Sequence, residues 1–173
     1  MGASLVSDFS GLDRVGDALR HLEAATGDLE PLFDDVGAAL VTSTRERFQD
    51  QVGPDGRRWA PLSADTVLSR LGGASRAYTK DMRFRAGAKR KLAGGMKILI
   101  RRGHLRNSIT HRASRAGVEV GTAMPYGAIH QFGGQAGRGR KITIPARPFL
   151  GLSADDEDMV HARVQAYLRE ALP

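Results

Sequence analysis

The spacing of apolar positions divides this chain into helical ends and a strand-bearing middle. Leu12, Val15, Leu19 and Leu22 recur at helical spacing and Thr26-Gly27-Asp28 breaks the pattern, which predicts a first helix. Leu29, Leu32, Phe33, Val36, Leu40 and Phe48 carry a second stripe to about Asp50, flanked by charge, so a second helix is expected to bury one face. Pro31 falls in its first turn, where a missing N–H costs nothing. The next stretch, QVGPDGRRWAP, reads as a loop bent most sharply at Pro54-Asp55-Gly56, and Ser63 is placed to cap a short helix running to Leu71.

Over 72–95 the periodicity fails. Glycine pairs stand at both ends with basic residues and scattered aromatics between, so a mobile basic loop or arm is expected, partly helical near 86–92. Alternation then predicts strands at Ile98 and Ile100 in MKILIR, at Ile109 in SITHR, at Val118 and Val120 in GVEVGT, and at Ile142 and Ile144 in KITIP. The short gap before Gly117 favours a hairpin between the second and third of these. Ser153 is a good N-cap for a last helix, with Asp155, Asp156, Glu157 and Asp158 at its positive end and Val160, Val164, Tyr167, Leu168 and Ala171 on its buried face. The expected fold class is α+β, a small antiparallel sheet flanked by N-terminal helices and a C-terminal helix. One domain over 1–173 is expected, with a helical part over 1–50, the basic loop over 72–95, a β-rich part over 96–150 and the closing helix over 153–172.

Composition narrows the class. A chain of 173 residues is long enough for one buried core, while 21 glycines and an apolar fraction of 41% suit a globular centre with segments that order on assembly. With no cysteine, disulfides, zinc–thiolate sites and cysteine nucleophiles are excluded. No apolar run approaches the roughly 18 residues of a membrane-spanning helix, and the first residues do not resemble a secretory signal, so a soluble cytoplasmic protein without membrane contact is expected. The net charge of +7 is concentrated over 76–112, with Arg83, Arg85, Lys89, Arg90, Lys91, Arg101 and Arg102 among its cations, and again at Arg138, Arg140, Lys141 and Arg147. Interleaved with Tyr78 and Phe84, the first cluster has the composition of a sequence-indifferent nucleic-acid surface, or of an arm docking on an acidic partner.

Catalytic candidates are few. The histidines are His21, His104, His111, His130 and His161; none forms HExxH or an i, i+4 pair, and no carboxylate accompanies His104 and His111 in sequence, so no metal is expected. GxSxG, GxxxxGK[ST] and GxGxxG are all absent. His130, in PYGAIHQFGG, lies near Tyr126 but has no local acid to tune it. The expected role is structural: Ile129 and Phe132 pack inward, Gly133-Gly134 permits the bend, and the His130 side chain fixes it by a bond to a neighbouring backbone group.

Four stretches in order resemble the phage virion morphogenesis family, the tail-completion proteins of Mu-like contractile-tailed phages. They are GPDGRRWAPLSADT, ILIRRGHLRNSI, VGTAMPYGAIHQFGG and IPARPFLGLSADD, and the resemblance runs from about Val52 into the last helix. The chain departs from the pattern at Arg102 and Gly127, and its 71–95 segment is longer and more basic. The resemblance implies a non-enzymatic virion protein, without cofactor, that completes the head-proximal end of a tail and helps join tail to head. It also implies a ring, hexameric or twelve-fold, around the channel for genomic DNA. The implied partners are tail tube, sheath or terminator proteins and head–tail connector or neck proteins, in a virion assembled in the host cytoplasm. The positions carried over as structural or assembly residues are Trp59, Leu62, Gly103, Leu105, Tyr126, His130, Phe132, Gly133, Arg147, Pro148 and Phe149. Trp59 is expected to anchor its loop to the core or to a neighbouring subunit. Phe149 and Leu150 are expected to dock the extended PARPFLG stretch.

Overall fold

The computed structural model describes residues 3–5 and 28–171. The helix expected from Leu12, Val15, Leu19 and Leu22 lies outside the described residues. In chain order the elements are β1 (Ala3–Leu5), α1 (Glu30–Asp50), α2 (Ala64–Leu71), α3 (Ala74–Ala77), α4 (Ala86–Ala93), α5 (His104–Asn107), β2 (Ile109–Ser114), β3 (Gly117–Thr122), α6 (Gly127–Phe132), β4 (Gly134–Ala136), a 3₁₀ turn (Arg138–Arg140), β5 (Ile142–Ile144) and α7 (Ala154–Ala171). The class is α+β, as the apolar pattern implied.

The long helix α1 organises the packing. Its whole predicted stripe, Leu32, Phe33, Val36, Leu40 and Phe48, is buried, together with Leu29 just ahead of it. The first part of the stripe packs on Val118 of β3 and on Val160 and Val164 of α7, with Tyr167 and Leu168 at the margin. The second part joins Val41 and Phe48 to Trp59, Leu105, Ile109, Phe149 and Leu150. Burying each of these larger side chains contributes about 1.5–3 kcal/mol before entropy is counted. Helix and sheet approach closely because α1 presents Gly37 to the sheet: a Cβ there would lie 2.7 Å from Val118 Cγ2 and against the His111 ring.

The sheet has the order β1-β3-β2, antiparallel throughout, with Ala3 opposite Thr122 and Ile109 also opposite Thr122 on the other side. β2 and β3 form the expected hairpin, closing at Ser114 opposite Gly117, where Ser114 Oγ accepts from Ala116 N–H at 3.3 Å. β4 and β5 form a separate two-stranded ribbon.

Two local expectations change. MKILIR is not a strand. Leu99 has a φ of 57°, which breaks an extended run, and the backbone of Ile98 is held by Gln51, whose side-chain amide accepts from Ile98 N–H and donates to Ile98 C=O at 3.3 Å. Ile98, Leu99 and Ile100 still half-bury against the core, so their apolar alternation signals packing without a sheet partner. The 72–95 segment holds two helices, α3 as well as the expected α4. They close a small satellite core of Leu71, Ala77 and Ala88.

α7 begins as anticipated. Ser153 Oγ accepts from Asp156 N–H at 3.2 Å while Asp156 Oδ2 accepts from Ser153 N–H at 2.8 Å, a reciprocal capping box. The same carboxylate is ion-paired with Arg47 of α1, and both side chains are buried. Arg47 also donates to Gly151 C=O at 2.7 Å, so one guanidinium fastens α1, the approach to α7 and its cap. Burial alone would raise the Asp156 pKa, but hydrogen bonds from Ser43 and Ser153 and the charge of Arg47 outweigh it and hold the carboxyl below its ordinary 3.8.

Candidate functional site

Most of the residues singled out in the sequence gather around the PARPFLG stretch. Trp59 is anchored to the chain's own core: it is 5% exposed, donates from Nε1 to Pro148 C=O at 2.7 Å, and stands edge-on to Phe48 with centroids 5.3 Å apart. Arg147 is buried and donates to the carbonyls of Ala60 and Pro61 at 2.7 and 2.8 Å, which ties the Trp59 loop to the strand-end region. Phe149 is wholly buried against Phe48. Pro148 itself is exposed. These contacts position the loop that leads into α2.

The PYGAIHQFGG stretch is a short helix, α6, ended by Gly133 at a φ of 73°. A side chain at Gly133 would put its Cβ 2.8 Å from Ala146 N. Two expectations fail here. Phe132 does not pack inward; it is 66% exposed. His130 does not fix the bend through its ring: Nδ1 is buried without a hydrogen-bond partner among the described residues, and only the His130 backbone C=O takes part, accepting from Arg147 N–H at 2.7 Å. The bend is held by the next residue. Gln131 is buried, donates from Nε2 to Leu150 C=O at 2.8 Å, and accepts at Oε1 from Phe149 N–H at 2.9 Å and Leu150 N–H at 3.0 Å. One amide thereby satisfies three buried backbone groups of an extended segment that has no sheet partner. The sequence signal was an amide set between apolar Ile129 and Phe132, beside a histidine that drew the attention.

A cleft of about 700 Å³ opens beside α6 and β5. Of the expected site residues it brings together Leu62, Arg101, Arg102, Gly103, Leu105, Tyr126, His130 and Arg147, and it adds Arg70, which no local sequence signal sets apart. Its lining holds four arginines and two histidines and no carboxylate among the described residues. Each inner cation feels the others. Burial and then the charge of Arg101 lower the Arg70 pKa; burial and then Arg70 lower that of Arg147. Burial and then Arg147 push His130 below its ordinary value, which leaves its imidazole neutral at pH 7. Arg70 and Arg147 spend donors on backbone carbonyls, whereas Arg101 and Arg102 are exposed at the cleft and make no hydrogen bond or ion pair among the described residues. Apolar surface from Leu62, Leu99, Tyr126 and Ile142, the last 60% exposed, completes the wall.

Such a lining attracts anions and buries apolar groups. Among the described residues it shows no nucleophile–base pair: the hydroxyls of Ser63 and Thr66 are 2.9 Å apart and engaged in capping α2, and no carboxylate there orients His130. The remaining expected contacts lie elsewhere. Arg83, Arg85, Lys89, Arg90 and Lys91 are exposed on the α3–α4 region, and Arg138 on the 3₁₀ turn; nothing is described of the Arg140 side chain. Tyr78 and Phe84, read as platforms for bases, stack on one another at 4.6 Å, and Arg85 Nε donates to Tyr78 C=O. His111, expected without an acid, has one: its Nε2 lies 2.9 Å from Asp34 Oδ1. Among the described residues no three or more of His, Asp and Glu come together as a metal site.

The family model described as the phage virion morphogenesis family matches residues 11–169. The chain is 30% identical over 162 residues to Mu-like prophage FluMu G protein 2 of Haemophilus influenzae, covering 94% of each chain. It is 33% identical over 164 residues to putative capsid assembly protein G of Escherichia phage Mu, covering 88% of this chain and 94% of that one. With tail completion protein S of Escherichia phage P2 it shares 29% over 142 residues, 79% of this chain and 82% of that one. No solved structure matches.

Proposed function

Because the chain belongs to the phage virion morphogenesis family and is a structural protein of the virion, not an enzyme, we propose that it completes the head-proximal end of a phage tail and takes part in joining tail to head, as a ring of identical subunits around the DNA channel. The observation that carries the reading is likeness over 88% and 79% of the chain to proteins named, respectively, for capsid assembly and tail completion. The fold supports it. Trp59, Gln131 and Arg147 spend their polar groups fixing loops, so the stretches that carry the family resemblance build surfaces that are rigid before any partner arrives. Arg101 and Arg102 stand ready on one such surface.

The experiment is genetic and structural. A phage lacking this chain, complemented or not by the intact protein, is examined by electron microscopy of lysates. Unjoined heads and tails are expected without the protein, and joined infectious particles with it. Normal particle yields in its absence overturn the proposal.

A further inference from the structure

The four-arginine cleft has a counterpart on the same molecule. A second cleft, of about 530 Å³, is lined by Glu46, Asp50 and Asp155 along with Arg47 and Arg163. Both of its cations are already neutralised, Arg47 by Asp156 and Arg163 by Asp35. Glu46, Asp50 and Asp155 are exposed and have neither ion pair nor hydrogen bond among the described residues. Glu157 and Asp158, also exposed, extend the acidic surface along the first turn of α7. The two clefts share no lining residue. The PARPFLGLS stretch links them, with Arg147 in the basic wall and Ser153 in the acidic one.

We infer that the basic cleft of one copy receives the acidic cleft surface of a second copy, head to tail. Two different patches that complement each other give a heterologous contact, which repeats and closes into a ring when its rotation allows. The cleft also explains why charge alone does not describe the partner. Leu62, Leu99, Tyr126 and Ile142 offer apolar area that a phosphate backbone has no use for, whereas a protein surface covers it. The inference rests on the reading of the chain as a ring-forming subunit and names the surfaces that meet.

The test is a charge swap on the full chain. Arg101 and Arg102 are exposed and unbonded, as are Glu46 and Asp50 in the last turns of α1, so reversing either pair leaves the folded contacts intact. Far-UV circular dichroism and Trp59 fluorescence check this, and the milder R101Q/R102Q and E46Q/D50Q proteins serve if a reversal unfolds. Molar mass by light scattering is read at 50 mM and at 1 M salt. The wild-type chain is expected to form multiples of the monomer at low salt and to dissociate at high salt, where charges are screened within about 3 Å. R101E/R102E alone and E46K/D50K alone are each expected to associate at least tenfold more weakly. Mixed together they regain association, because the reversed cleft of one meets the reversed acidic surface of the other while their two unreversed surfaces still fit.

A wild-type chain that stays monomeric, single variants that associate undiminished, or a mixture that fails to recover each overturns the inference. So does an R101E/R102E protein that loses affinity for duplex DNA while its mass is unchanged, which makes the cleft a nucleic-acid surface. A monomeric wild type that still restores joined particles overturns the inference alone and leaves tail completion standing.

Discussion

Replacing Gln131 by leucine is expected to damage this fold far more than removing the neighbouring imidazole. Leucine nearly fills the space of glutamine but has no polar atom, so Leu150 C=O, Phe149 N–H and Leu150 N–H lose their partner while remaining buried. A buried backbone group left unpaired costs about 1–3 kcal/mol. Some of these groups will reach solvent by local shifts, so the three together are expected to cost about 3–6 kcal/mol. For a chain of this size about 1 kcal/mol moves the melting temperature by about 2–4 °C. The expected loss is therefore on the order of 10–20 °C, a large part of a typical stability of about 5–15 kcal/mol. His130→Ala removes a ring whose buried Nδ1 has no hydrogen-bond partner and is expected to cost only about 1 kcal/mol of packing. Urea unfolding followed by Trp59 fluorescence suits the comparison, since the indole sits in the same apolar cluster as Phe149 and reports the docking directly. A Gln131→Leu protein that unfolds within about 1 kcal/mol of the wild type, or a His130→Ala protein that is the less stable of the two, shows that the Gln131 amide does not hold this bend.

Three other outcomes follow from the same contacts. Arg47→Met strands the Asp156 carboxylate and is expected to cost about 3–5 kcal/mol in urea unfolding, whereas Arg47→Met with Asp156→Leu recovers only part of it, because the Ser153 cap and the bond to Gly151 C=O stay lost; equal losses in the single and double variants would contradict this. The Asp156 carboxyl is held below its ordinary 3.8, so its contribution is fully present above that value and is lost as pH falls through the lower folded-state pKa. A pH series of melts should show Asp156→Asn flattening that acid limb, and an unchanged limb refutes it. Gly37→Ala gains about 1 kcal/mol of helix propensity but drives a methyl into Val118 and the His111 ring, for a net loss of about 1–2 kcal/mol by thermal melt; a stabilised variant would show that helix and sheet are less tightly packed than described.

Much of the framework was legible because it rests on short-range rules. The α1 stripe from Leu32 to Phe48, the β2–β3 hairpin and the Ser153 cap each follow from periodicity or a local hydrogen bond, and tertiary packing agrees with them. What escaped depends on partners far along the chain. Alternation at Ile98 and Ile100 means a strand only if another strand is there to pair with, and Gln51, 47 residues earlier, takes the backbone instead. Gln131 could not be distinguished from an ordinary surface amide until Phe149 and Leu150 were placed beside it. In IHQFG the histidine looks chemical, but the amide of Gln131 holds the neighbouring backbone. Arg70 shows the same limit, since nothing local sets it apart from Arg76 or Arg83, and only the fold brings it to Arg101 and Arg147.

The proposed ring at the junction of tail and head is put to the sharpest test by a cryo-electron microscopy map of that junction in the assembled particle. The expected map shows a closed ring of this fold encircling the DNA channel, each subunit's Arg101 and Arg102 lying against Glu46 and Asp50 of the next. A junction built without this chain, or a ring whose subunits leave both clefts facing solvent, contradicts it.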